Sequence, residues 1–157
     1  MLKRQDQSAS KEMSDTVIRD DLFAKGLEQR RAMFGVAGAD EQINNTSDLT
    51  DKIQDFVTRS CFGDIWQREG LTTAERSKIT LSMLIATGRT HEMRIHMRGA
   101  LENGVTVLEI REIAIHSMLY CGIPAAVEGV RALEEILSDR GISSDLDGES
   151  LTKASGK

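Results

Sequence analysis

One proline, Pro124, interrupts a chain of 157 residues, and the apolar residues recur with the helical period in nearly every segment. Strand-like alternation is scarce. These two features point to an all-α fold: a compact bundle of about six helices, with no sheet between Thr16 and Leu137. The first helix is predicted over Thr16–Phe34, with Ile18, Leu22, Phe23, Leu27 and Met33 facing inward and Gly35-Val36-Ala37-Gly38 ending it. The second is predicted over Ser47–Cys61, packed through Leu49, Ile53, Phe56 and Val57; Gly63 interrupts it and Trp66 follows in a short turn.

Thr72-x-x-Glu75 and Thr106-x-x-Glu109 are capping boxes, in which a hydroxyl and a carboxylate satisfy the free amides of a first helical turn. They open helices that end near Thr87-Gly88 and Cys121-Gly122. Between them Arg89–Asn103 is helical, with Gly104 as its C-terminal cap. Pro124 suits the first turn of a last helix that reaches Leu137. Residues 1–16 are polar and read as a flexible arm, with Met13 an alternative start. Residues 138–157, rich in Ser, Asp and Gly, read as a flexible tail, so a single domain is expected over 17–137.

The formal net charge of -5 argues against binding nucleic acid through its phosphates, which needs clustered Lys and Arg. The apolar runs fall far short of the roughly 18 residues of a membrane span, and no apolar run follows the first residues as a signal peptide would require. Cys61 and Cys121 form neither a disulfide framework nor a zinc spacing, and both suit a reducing cytoplasm as free thiols. By type, Cys121 reads as a small buried apolar residue and the methionines as core filler.

Two helical stripes carry chemistry. At about 100° per residue, Arg89, Glu92 and His96 align beside Met93 and Ala100, so a cation, a carboxylate and an imidazole border a face that must pack inward. Burying such groups is costly unless they pair. His91, Arg94, Arg98 and Glu102 fall on the opposite, solvated side. The second stripe, Glu112 and His116, repeats the four-residue spacing on a helix that is otherwise almost wholly apolar: Val107, Leu108, Ile110, Ile113, Ala114, Ile115, Met118, Leu119. Such a helix is expected to be buried, with its polar stripe facing a cavity, a partner subunit or solvent. The plain alternative is that each Glu–His pair is an ordinary surface pair worth about 0.2–0.5 kcal/mol. Metal binding is not indicated: His91 and His96 are five apart where the zinc-protease motif needs four, and helical di-iron sites need Glu and His three apart.

The string Gly63-Asp-Ile-Trp66-Gln-Arg-Glu-Gly70-Leu71-Thr72, then Arg76-Ser77, then Glu92-Met-Arg-Ile-His96-Met-Arg-Gly-Ala100-Leu-Glu-Asn103-Gly104-Val-Thr106, Glu109-Ile-Arg-Glu112 and Tyr120-Cys-Gly122-Ile-Pro124-Ala-Ala126 resembles the γ-carboxymuconolactone decarboxylases. Gly26-Leu-Glu-Gln-Arg30-Arg31 resembles the family's first helix. The resemblance implies the all-helical fold shared with the alkylhydroperoxidase D proteins, a homotrimer or homohexamer, and a cofactor-free lyase of protocatechuate degradation that yields 3-oxoadipate enol-lactone. The redox branch of that fold carries Cys-x-x-Cys ahead of the histidine that aligns with His96. Here those positions hold Arg89 and Glu92, so dithiol peroxidase chemistry is excluded at that place. His116 stands where the family usually has Gln, and Glu69 where Pro is common.

With a small carboxylate or lactone as substrate, the resemblance makes His96 the catalytic acid or oxyanion donor, a role worth about 2.7–4 kcal/mol, and Glu92 its orienting carboxylate. Arg89 is the expected carboxylate anchor, since guanidinium meets a carboxylate with two bonds. His116, Tyr120, Trp66 and Glu112 are the further substrate-binding candidates. A hydrolase or isomerase of a related lactone, or a non-catalytic oligomer of the same fold, remains the alternative.

Overall fold

The computed structural model describes residues 21–143 and Leu146. The predicted arm, the start of the predicted first helix with Ile18, and most of the predicted tail lie outside them. Among the described residues there are helices and no strand. The chain divides into two compact units, one up to Glu69 and one from Gly70.

The first unit holds α1 (Asp21–Gly38), α2 (Asp40–Asn44) and α3 (Asp51–Phe56). From α3 the chain continues into a π-helical segment, Val57–Asp64, and a 3₁₀ turn, Ile65–Gln67. Gly35, at φ 67°, kinks α1 where the helix was expected to end. The short α2 has one apolar residue, Ile43, so no period announces it.

Which faces turn inward differs from the apolar pattern, and glycine explains why. A Cβ on Gly26 would lie 1.8 Å from the Thr58 carbonyl oxygen, and one on Gly63 would lie 2.0 Å from that of Leu22. The backbones of α1 and the π-helical segment therefore touch, and the buried stripe of α1 is Gly26, Arg30 and Met33. Leu22 is left exposed. The wider π-turn likewise buries Thr58, Phe62 and Gly63. The predicted core positions Leu49, Ile53 and Phe56 are instead 87%, 60% and 66% exposed.

Arg30 sits at this crossing, donating to Gln54 Oε1 at 2.9 Å, Thr58 Oγ1 at 2.8 Å and the Gly38 carbonyl at 3.0 Å. Neutral acceptors thus satisfy much of a buried guanidinium, and desolvation pulls its pKa below the ordinary value.

The second unit is a four-helix bundle: α4 (Thr73–Ala86), α5 (Thr90–Glu102), α6 (Val107–Cys121) and α7 (Ile123–Asp139). Both predicted capping boxes form: Glu75 accepts from the Thr72 amide at 2.7 Å, and Glu109 from the Thr106 amide at 2.8 Å. Lys78 also binds Glu109 and ties α4 to α6; that contact, with the cap, holds the Glu109 carboxyl at about 2. Helices α4 and α7 each pack against both α5 and α6, which puts α5 and α6 at opposite corners. Leu81, Ile85, Met93, Met97, Ile110 and Ile136 fill the centre.

Helix α6 departs from expectation. Ile110, Ala114 and Ser117 are buried, but Leu108, Ile115, Met118 and Leu119 are 40–77% exposed. Its neighbours cover one side only, and with apolar residues all round, the other side is left uncovered. Cys121 is exposed and Cys61 half-buried; both are free thiols.

The glycine crossing is testable. Gly26→Ala is expected to destabilise the protein by at least about 1–3 kcal/mol, the cost of forcing extra volume into a packed contact, because backbone rather than a flexible side chain opposes the new methyl. Chemical denaturation would measure it, and an unchanged midpoint would contradict the crossing.

Candidate active site

Helix α5 positions the first stripe. Its buried residues Met93, Met97, Gly99 and Ala100 fix its rotation in the bundle. That rotation leaves His96, between Met93 and Met97 in the register, half-buried, with Glu92 one turn earlier and exposed. Burial lowers the His96 pKa below its ordinary value, and the Glu92 charge works against that shift. Desolvation dominates, so the resting imidazole is neutral at neutral pH. A neutral imidazole both donates and accepts a hydrogen bond.

Arg89 is the N-cap residue of α5 and caps nothing with its side chain. It is exposed, with no hydrogen-bond or ion-pair partner for its guanidinium among the described residues. The first-turn amides of α4 and α6 are served by their Thr–Glu boxes; α5 begins with no such side-chain cap. A free guanidinium beside an uncapped helix N-terminus suits an incoming carboxylate. On the opposite side of α5, read as solvated, His91, Arg98 and Glu102 are exposed and Arg94 is half-buried, and this side faces α7. There Arg94 pairs with Glu128 at 3.0 Å and Glu135 at 2.9 Å, and Arg98 with Asp139 at 3.0 Å.

The second stripe points outward from α6. Glu112 and His116 are exposed, and Glu112 accepts from its neighbour Arg111 at 2.9 Å. The His116 ring lies 5.2 Å from that of Tyr120, which is 78% exposed. Because α5 and α6 occupy opposite corners of the bundle, one chain does not bring its two Glu–His stripes together. Trp66 belongs to the first unit, where it is buried with Met33 and Phe62 and its ring lies 5.6 Å from that of Phe62. It serves there as core.

Sequence reasoning assigned no role to two further features. Asn103 donates to the buried Ser77 hydroxyl at 3.0 Å, locking the end of α5 to the start of α4; both residues stand in the motif quoted above, which was their only signal. A cleft of 360 Å³ in the second unit is lined by Leu84, Ile85, Met93, Cys121, Ala125 and Glu128 among others. Its apolar walls and acidic Glu128 suit a carboxylate poorly, and Arg89, Glu92 and His96 do not line it. No group of three or more His, Cys, Asp or Glu among the described residues is placed to hold a metal ion. No described helix is long and apolar enough to cross a membrane.

The electrostatics of His96 predict a pH dependence of stability. Its folded pKa lies below the unfolded value of 6.5, so the unfolded chain binds the proton more readily. The protein should therefore lose stability as pH falls through 6.5 toward the folded pKa, and keep its stability above 6.5. Thermal melts from pH 8 to 5 should show that decline, and His96→Asn should flatten it. An equally steep decline in the variant would contradict the assignment.

The family model described as "Carboxymuconolactone decarboxylase family" matches residues 51–135. The 4-carboxymuconolactone decarboxylase of Acinetobacter baylyi is 36% identical over 121 residues, covering 77% of this chain and 90% of that protein. Nitrosuccinic acid decarboxylase npaB of Metarhizium robertsii is 34% identical over 131 residues, covering 81% of this chain and 92% of its own. Both relatives are named as decarboxylases, which supports a carboxy-lyase here. The match spans more than half of the sequence and includes both Glu–His stripes: the chain belongs to the carboxymuconolactone decarboxylase family.

Proposed function

We propose that the protein decarboxylates 4-carboxymuconolactone or a closely related lactone acid of aromatic degradation, giving 3-oxoadipate enol-lactone, and that it works as a homotrimer or homohexamer. The observation that carries this reading is the α5 stripe, where a free guanidinium, a carboxylate and a half-buried imidazole stand in consecutive turns. The two relatives narrow the substrate class. One name specifies a lactone bearing a carboxylate, the other a nitro acid with two carboxylates. In each, the leaving carboxylate is connected to a group that accepts electrons.

The reaction then follows from the substrate's own electronics. The bond from the ring carbon to the leaving carboxylate breaks, and carbon dioxide departs. The electron pair passes through the conjugated double bond onto the lactone carbonyl oxygen, forming an enolate, and a proton delivered to carbon from solvent water completes the product. Arg89, with the open amides of α5, seats a substrate carboxylate. Neutral His96 donates its N–H to the enolate oxygen, the role its lowered pKa favours over that of a resident acid. Glu92 orients the ring and stabilises charge on it. His116, where Gln is usual, tunes which substrate is accepted, with Glu112 and Tyr120 beside it.

His96→Asn should lower turnover by about 10²–10³-fold with circular dichroism unchanged. Arg89→Ala should act mainly on KM, and His116→Gln should keep most of the rate while shifting substrate preference. The assay follows ultraviolet absorbance of the carboxy-lactone with carbon dioxide measured in parallel. Lactone loss without carbon dioxide would indicate a hydrolase or isomerase. Full activity in His96→Asn with none in His116→Gln would move the site to α6.

A further inference from the structure

We propose that the active site is completed between two copies of this chain, the α6 stripe of one (Glu112, His116, Tyr120) closing over the α5 stripe of the other (Arg89, Glu92, His96). The proposal rests on the decarboxylase reading of α5 and adds what covers it. Three observations support it.

The first is topological. Helices α4 and α7 hold α5 and α6 at opposite corners of the bundle. The two stripes therefore stand on helices that do not pack side by side within one chain. A second copy is a source of the missing stripe that the chain itself supplies.

The second is the surface of α6. Leu108 and Ile115 are 41% and 40% exposed, and Leu119 and Tyr120 77% and 78%. They flank Glu112 and His116 on the outward face, giving an aromatic and aliphatic surface with a polar seam. Contiguous apolar exposure of this kind marks an interaction surface.

The third is the need for shelter. Decarboxylation through an enolate needs a site sheltered from water, where hydrogen-bond donors act at full strength. In one chain Arg89 and Glu92 are open to solvent. The Leu119 and Tyr120 side chains of a second copy would shelter them, and each copy carries both halves, so a closed assembly completes one site per chain.

Leu119→Asp, at an exposed position of the proposed interface, should keep its helical circular dichroism. Light scattering should show it monomeric at micromolar concentration where the parent is an oligomer, and decarboxylation should fall tenfold or more. In a Cys61→Ser, Cys121→Ser background, Glu92→Cys chains mixed with His116→Cys chains should form an intermolecular disulfide under mild oxidation.

A monomeric parent, a monomeric Leu119→Asp with full turnover, or no mixed disulfide would each overturn the proposal. The cross-link is read without substrate. A mixed disulfide between the two variants, with a parent that releases no carbon dioxide, therefore refutes the decarboxylase reading and leaves the juxtaposition standing.

Discussion

The close contact of α6 with α7 governs where chemistry is available in the second unit. Gly129 of α7 comes so near Ala114 of α6 that a Cβ on the glycine would lie 3.0 Å from the alanine Cβ. With so small a pair at the crossing, the helices approach closely and the buried side of α6 is used up by Ile110, Ala114 and Ser117. Glu112, His116, Leu119 and Tyr120 are then turned outward. On another side of α7, Arg94 of α5 pairs with Glu128 and Glu135.

The electrostatic character of the candidate site follows from this rotation. A histidine fully in solvent would titrate near 6.5, and one fully buried beside a carboxylate would be pulled two ways. His96 is half-buried with an exposed carboxylate one turn away, and desolvation prevails over the Glu92 charge. The result is a neutral donor about two turns from the exposed Arg89. In the proposed function that combination seats an anion without protonating it and stabilises negative charge as it forms. In the proposed function a substrate carrying its own electron sink asks little more of the protein; the two relatives are named for 4-carboxymuconolactone and for nitrosuccinic acid.

Much of the second unit was legible in the sequence because its signals are local. Thr72 and Glu75, and Thr106 and Glu109, are sufficient by chemistry to start α4 and α6, and both boxes form. Pro124 opens α7 as its missing amide requires. The first unit was less legible because a backbone contact decides it. Nothing in the period of Leu22, Leu49, Ile53 or Phe56 shows that Gly26 and Gly63 bring α1 onto a π-turn and rotate those residues outward. That Glu92 and His96 lie one turn apart on α5 could be read from spacing alone, whereas Arg89, expected within the helix, is its N-cap. The separation of that stripe from Glu112 and His116 could not, since it depends on which helices pack side by side. The exposed face of α6 was hidden for a related reason: an all-apolar helix gives no sign of which side is left uncovered.

The central claim is that the α5 stripe, and His96 in particular, receives the carboxylate substrate. Nuclear magnetic resonance titration of the imidazole protons tests this directly, since the chain has only His91, His96 and His116 to assign. The account predicts that His96 titrates below 6.5 in the free protein, and that succinate, an unreactive dicarboxylate, shifts its resonance and raises its pKa, with the effect lost in Arg89→Ala. A His96 that titrates at or above 6.5 and ignores succinate would contradict it.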